Sequence, residues 1–427
     1  MVDRTIIVPT AVRGSFSAEA GFGGSGNTSD GSTFTITGSG FGTKSQAAAK
    51  VFDTFDTYYD NGTAETPYSA LNDGDTIPST SSDPFDTHVG VWTKDVAGTY
   101  GRRSAAYKSQ VAADGNSDYW MDAWKGWATV DGNNLYCRWY FWVDEEGFQE
   151  AALDGNHSSS ATNITITPSN LRFSDASAAP RLIITLNDAS LHRTTLALPK
   201  ISGTNCDITD ALPSAADSGN AVFIDNKDST KFIRVWDVTS GSSDLLQLSW
   251  TWNQITNQGP AANNESDTEP NSTAGGAGSW NLMEIEVFHA QEEADETTSF
   301  YKAWLNGTQI GSTITGDISK AAGTWPFSGI VPRLIGQDHS TGTKWKMPNN
   351  FFRLAEIYAD KTTQRIEIGD HATVLRSSTV REVCQIKSWS DTQIEFIVNQ
   401  GEHTSVKGNY VYHVDDNNSE TLIGQYI

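Results

Sequence analysis

Thr33-Phe34-Thr35-Ile36-Thr37-Gly38-Ser39-Gly40-Phe41-Gly42 is a short alternating strand that runs into a glycine-rich turn. The period of two puts Phe34 and Ile36 on one face and the three threonines on the other, the pattern of a half-buried strand. A strand this short needs partners. Sequence of matching character returns only near the other end, in Gln364-Arg365-Ile366-Glu367-Ile368-Gly369-Asp370, Trp389-Ser390-Asp391-Thr392-Gln393-Ile394-Glu395-Phe396-Ile397-Val398 and Asn409-Tyr410-Val411-Tyr412-His413-Val414-Asp415. The reading is a small β-domain assembled from 33–50 and 365–427 and interrupted by a larger domain at 51–364. Residues 1–32 are read as an N-terminal arm and a Gly/Ser-rich connector with little to bury.

The larger domain contains many short runs bounded by Gly, Asn, Asp, Ser or Pro, which indicates antiparallel sheets rather than βαβ units. Leu135-Tyr136-Cys137-Arg138-Trp139-Tyr140-Phe141-Trp142-Val143 is the clearest. Alternation gives it a core face (Leu135, Cys137, Trp139, Phe141, Val143) and an amphipathic aromatic face (Tyr136, Arg138, Tyr140, Trp142). The second face suits either a sugar-binding groove or packing beneath a loop.

Two resemblances follow from these residues. TITGSGFG, then IEIGD, WSDTQIEFIV and GNYVYHV, is similar to an IPT/TIG immunoglobulin-like domain cut by an insertion. The resemblance implies a pedestal, with the specific activity in the inserted domain. Within the insertion, Trp280-Asn281-Leu282-Met283-Glu284-Ile285-Glu286-Val287, Ser299-Phe300-Tyr301-Lys302-Ala303-Trp304-Leu305-Asn306-Gly307 and Phe351-Phe352-Arg353-Leu354-Ala355-Glu356-Ile357-Tyr358 resemble a concanavalin-like or laminin-G jelly roll. The Asn306-Gly307 step supplies the positive φ angles of a tight hairpin. The expected fold class is therefore all-β, an antiparallel jelly-roll sandwich inserted into a small Ig-like β-sandwich.

The chain has 427 residues and a formal charge of −23. Phosphate neutralisation needs clustered Lys and Arg, so nucleic acid is not an expected partner, and neither is an anionic membrane. No apolar run has the length of a membrane span, so no membrane insertion is expected. Cys137, Cys206 and Cys384 have neither disulfide-framework nor metal-ligand spacing, compatible with folding in a reducing compartment. The first residues lack the apolar core of a secretory leader. Asp-Gly-Asn turns at 114–116, 131–133 and 154–156, with Asn-Asp-Gly-Asp at 72–75, would suit structural Ca²⁺ but match no EF-hand or repeat spacing. No other cofactor is expected.

Three chemistries are weighed. Glu284 and Glu286 project from one face about 7 Å apart by strand rise, against about 5–5.5 Å between the carboxyls of retaining glycosidases. The stretch resembles the Glu-x-Asp-x-x-Glu strand of laminarinase-type hydrolases, but His289 stands where the general acid is required. Solvent-facing polar positions are the plainer reading of both glutamates. A lyase reading uses Gln337, His339, Tyr301, Lys302 and Arg103: Tyr and His to abstract a proton α to a uronate carboxylate, with Gln and Arg neutralising that group. It rests on a resemblance of Gln337-Asp338-His339 and Phe300-Tyr301-Lys302-Ala303 to jelly-roll alginate lyases, from which Trp304 departs. A binding reading places ligand on Tyr136, Arg138, Tyr140 and Trp142. The expectation is a non-catalytic protein, similar to accessory structural proteins of tailed phages such as capsid decorations, head fibres or tail fibres. Such a protein is assembled in a host cytoplasm, and its partners are other virion proteins or itself, and cell-surface polysaccharide. The alternative is an extracellular carbohydrate-binding module, polysaccharide lyase or glycoside hydrolase of an environmental bacterium.

Overall fold

The computed structural model describes residues 15–53, 87–89, 91–95, 106–110, 123–126, 130–131, 133–143, 149–167, 181–188, 194–196, 200–202, 205–208, 211–225, 231–237, 244–251, 254–258, 279–290, 297–309, 313–315, 329–338 and 352–427. Among these there is no α-helix, and the strands pair antiparallel, so the protein is all-β as its alternation indicates. The chain forms two compact units, one from residues up to 52 together with 362–427, the other from 53–361.

The smaller unit contains two sheets. One runs in the order Phe16–Ala18, Glu420–Tyr426, Tyr410–Val414, Arg365–Gly369, Arg381–Val383; the other Gly23–Gly26, Thr33–Thr37, Gln393–Ile397, Gln385–Ser390. Phe34 lies opposite Phe396 and Ile36 opposite Ile394. These side chains meet Ile366, Ile368, Val411, Ile423 and Tyr426 of the other sheet in one buried cluster. Each such side chain contributes about 1.5–3 kcal/mol on burial.

Residues 15–32 are not the connector that their composition suggests, because two strands of this unit lie there. Phe16 packs edge-on against Phe34 and Tyr426, at 5.1 and 5.5 Å between ring centroids. A Cβ on Gly24 would lie 2.4 Å from the Phe16 ring, and one on Gly424 2.4 Å from the Ser17 carbonyl oxygen. The glycines are there for close approach of backbone to ring, not for slack.

The other face of the Arg365–Gly369 strand is also buried. Glu367 accepts hydrogen bonds from Arg365 Nε at 2.6 Å and from Arg381 Nε and Nη2 at 3.1 and 3.0 Å. Arg365 Nη1 also donates to the Thr363 carbonyl and to Asn418 Oδ1. All three ionised side chains are essentially withdrawn from solvent.

In the larger unit the central sheet has the order Thr308–Gln309, Phe300–Leu305, Trp280–Phe288, Asn134–Val143, Phe352–Asp360, Ala106–Gln110, Val91–Asp95. Asn306 (φ 49°) and Gly307 (φ 79°) form the two-residue turn expected of Asn-Gly. One face is apolar and buried: Leu135, Cys137, Trp139, Phe141, Met283, Ile285, Val287, Ala303, Leu305, Leu354, Ile357 and Ala359. A second sheet runs Gln254–Gln258, Asp244–Thr251, Lys231–Asp237, Gly329–Asp338, Ala123–Gly126, Thr87–Val89, and a third is centred on Ala221–Asp225 and Gln149–Leu153.

Candidate functional site

Strand register aligns the second face of the central sheet in rows. Arg138 lies opposite Glu284 on one side and Tyr358 on the other, and Glu284 in turn lies opposite Trp304. One row along, Tyr136 lies between Glu286 and Asp360, and Glu286 lies opposite Lys302. Two rows the other way, Trp142 lies between Trp280 and Arg353. The result is a grid of charged and aromatic groups across four strands, back to back with the apolar face.

This grid is not solvated. Glu284 and Tyr136 are both 0% exposed and Arg138 is 1% exposed. The glutamates are therefore not the solvent-facing positions that alternation alone suggests. Tyr136 donates its hydroxyl hydrogen to Glu284 Oε1 at 2.6 Å, a short bond of the charge-assisted kind. The Arg138 guanidinium sits 5.7 Å from the Tyr140 ring centroid, and Tyr136 and Tyr358 meet edge-on at 6.1 Å. Toward the edge the grid opens. Lys302 Nζ stands 3.6 Å from Glu286 Oε2, with the two side chains 29% and 11% exposed. At the far end Trp142 and Trp280 are half-buried and contact edge-on at 6.0 Å.

The sequence-nominated residues divide by this geometry. Tyr136, Arg138, Tyr140, Trp142, Glu284 and Glu286 share the grid face. Tyr301 does not. It lies opposite Val287 on the apolar face, buried, and its hydroxyl is pushed far above the ordinary tyrosine range by desolvation. A sealed, neutral Tyr301 is poorly placed for the proton abstraction that the lyase reading asks of it. His339 and Arg103 lie outside the described residues, and Gln337 belongs to a different sheet from Tyr301. The Trp280–Phe288 strand stays in register through Phe288, so His289 falls on the side opposite Glu284 and Glu286. Its Nδ1 lies 2.7 Å from the Ala290 carbonyl oxygen. No glycosidase acid occupies that position.

Sequence reasoning missed Tyr358, Asp360 and Arg353, which the Phe352–Asp360 strand contributes to the grid. It also missed Glu356, a buried residue with φ 49°. Among the described residues no group of three or more His, Cys, Asp or Glu is placed to hold a metal ion. The Asp154-Gly155-Asn156 turn is instead closed by backbone geometry, with Gly155 at φ 86° and Asn156 Oδ1 accepting from the Ser218 amide. The other three Asp-Gly turns are not fully within the described residues.

No protein-family model and no curated protein matches the chain. Solved structures with some likeness include a mutant of the alginate lyase Aly36B in complex with alginate trisaccharide, at 8% identity and TM-score 0.35, covering 74% of this chain and 99% of that one. The alginate lyase vAL-1 from Chlorella virus gives 10% identity and TM-score 0.28, covering 68% and 100%. The marine PL-14 alginate lyase from Aplysia kurodai gives 9% identity and TM-score 0.23, covering 68% and 98%. Likeness at this level transfers no function, and the functional reading rests on the grid.

Proposed function

We propose that the larger unit is a glycan-binding module whose contact surface is the open margin of the grid, Trp142 and Trp280 at one end and Lys302 and Glu286 at the other, held by the buried Tyr136, Arg138, Tyr140, Glu284 and Tyr358 between them. One observation carries this reading: the face turned away from the apolar core buries ionisable groups where apolar ones would serve stability as well. A buried ion pair is commonly no more stabilising than hydrophobic residues of equal volume. Unlike the sealed Arg365–Glu367–Arg381 cluster of the smaller unit, this one opens at its margins onto half-buried rings and a partly exposed lysine. The half-buried Trp142 and Trp280 rings can stack on sugar faces, and the partly exposed Lys302–Glu286 pair can orient hydroxyls, a combination that suits a glycan. The test is retardation of the purified protein in gels containing neutral β-glucans or anionic polyuronates, confirmed by calorimetry. Trp142→Ala and Lys302→Ala should each weaken binding about tenfold or more with the fold intact, and failure of every polysaccharide to retard the wild type would refute the reading.

A catalytic reading has one observation in its favour, the 2.6 Å Tyr136–Glu284 hydrogen bond, which could pass a proton in a water-poor site. Elimination would create an unsaturated uronate visible by ultraviolet absorbance, and hydrolysis would release reducing ends. We expect neither. Turnover abolished by Glu284→Gln would establish catalysis instead.

The smaller unit is read as an IPT/TIG-like pedestal and the larger as a concanavalin-like jelly roll, on the strength of their sequence patterns. The finer assignment to a phage virion rests on composition, and attachment of the tagged protein to purified particles would test it.

A further inference from the structure

We propose that Glu356 is a positioning residue: the β-bulge it forms shifts the phase of the Phe352–Asp360 strand and so delivers Tyr358 and Asp360 to the grid face, where they support the ligand-contacting margin. This deepens the glycan-site reading and rests on it for the role of those two side chains.

The argument is one of register. From Phe352 to Ala355 the strand pairs residue by residue with Val143 back to Tyr140. Continued without interruption, that pairing would set Glu356 opposite Trp139, Ile357 opposite Arg138 and Tyr358 opposite Cys137. Ile357 would then enter the grid, and Tyr358 and Asp360 would be driven into the apolar face. The observed pairing instead resumes with Tyr358 opposite Arg138, Ala359 opposite Cys137 and Asp360 opposite Tyr136. One residue has been absorbed. Because side chains alternate with a period of two, that single extra residue exchanges the faces of everything after it.

Two observations locate the device at Glu356. Its φ of 49° is the left-handed conformation that the first position of such a bulge ordinarily gives to glycine. Its side chain is nevertheless retained, and buried at 7% exposure. The delivered groups also engage the site. Tyr358 meets the Tyr136 ring, and its hydroxyl donates to Asp360 Oδ2 at 3.4 Å. Strain held at a bulge beside charged, buried groups is the usual way a strand re-aims side chains toward a site.

The experiment has a binding arm and an arm that needs no ligand. In the first, the polysaccharide retained by the wild type is titrated against Tyr358→Phe, Asp360→Asn, Glu356→Gly and a deletion of Glu356. Tyr358→Phe and Asp360→Asn should each lose at least tenfold in affinity. Glu356→Gly, which keeps the bulge, should stay within threefold, and the deletion should abolish binding. Wild-type affinity in Tyr358→Phe and Asp360→Asn together would overturn the assigned roles. In the second arm, carried in a Cys137→Ala background, Arg138→Cys/Tyr358→Cys should oxidise to a disulfide and Arg138→Cys/Ile357→Cys should not, because only directly opposed residues bring their Cβ atoms close enough. The reverse pattern would overturn the phase shift even if no glycan binds. The expected pattern with no glycan bound would confine the failure to the glycan reading.

Discussion

Removing the Tyr136 hydroxyl should cost the larger unit about 2 kcal/mol, within the roughly 1.5–3 kcal/mol of a hydrogen bond to a charged group. The bond is short, both residues are sealed from solvent, and the phenyl ring of Tyr136→Phe fills the same space, so cavity formation does not enter. Repeating the substitution in a Glu284→Gln background, where the acceptor is neutral, should cost only about 1 kcal/mol. The difference, a coupling of about 1 kcal/mol, isolates the charge on Glu284 from the packing of Tyr136. Every tryptophan except Trp389 lies within 53–361, so intrinsic fluorescence in urea follows this unit. With a slope of roughly 2–3 kcal/mol per molar, Tyr136→Phe should lower the midpoint by about 0.7–1 M at unchanged slope. Equal costs in the two backgrounds would mean that Glu284 is not ionised in the fold, and the buried charge on which the glycan reading stands would be gone.

Glu367→Gln should destabilise the smaller unit by about 3–5 kcal/mol, because it leaves Arg365 and Arg381 buried without the carboxylate between them; faster amide exchange confined to 365–369 and 381–383 would show it, and a loss below about 1 kcal/mol would contradict it. Tyr426→Phe should raise the melting temperature, since the Tyr426 hydroxyl is buried and finds no partner among the described residues; a fall would reveal a partner there. His413 is buried between the Phe41 and Trp389 rings, and desolvation lowers its pKa from 6.5. The unfolded chain therefore takes up the proton first as pH falls through about 6.5, so stability declines below that pH until the folded histidine protonates as well; His413→Leu should flatten this part of the melting-temperature profile, and an unchanged slope would exclude His413 as its source.

The Leu135–Val143 and Trp280–Val287 alternations were legible because each strand keeps a strict period of two, and Asn306-Gly307 was legible because a tight hairpin needs two positive φ angles. The glycines at 23, 24 and 26 misled for a related reason: composition does not distinguish glycine used for slack from glycine used for close approach, here to Thr37, to the Phe16 ring and to the Thr33 carbonyl respectively. The site was half legible. Period two separates Tyr136, Arg138 and Glu284 from the core face, but their burial depends on what covers the sheet, which no local pattern encodes.

The Phe352–Asp360 strand shows where strand patterns stop being informative. Phe-Arg-Leu-Ala-Glu-Ile-Tyr-Ala-Asp is compatible with an unbroken alternation, and the usual mark of a left-handed bulge, a glycine, is absent. The partner strand decides between the two phases. An unbroken ladder would set Tyr358 beside Cys137 and Ile285 and Asp360 beside Leu135 and Val287, where an unpaired carboxylate costs several kcal/mol or more. The bulge costs about 1–3 kcal/mol of backbone strain; Asp360 stays buried, but it lies beside Tyr136 and accepts from the Tyr358 hydroxyl and the Lys361 amide instead of facing apolar side chains. The strained turn at Glu356 is thus the lower-energy solution once the sheet is assembled, and no reading of this segment in isolation could have selected it.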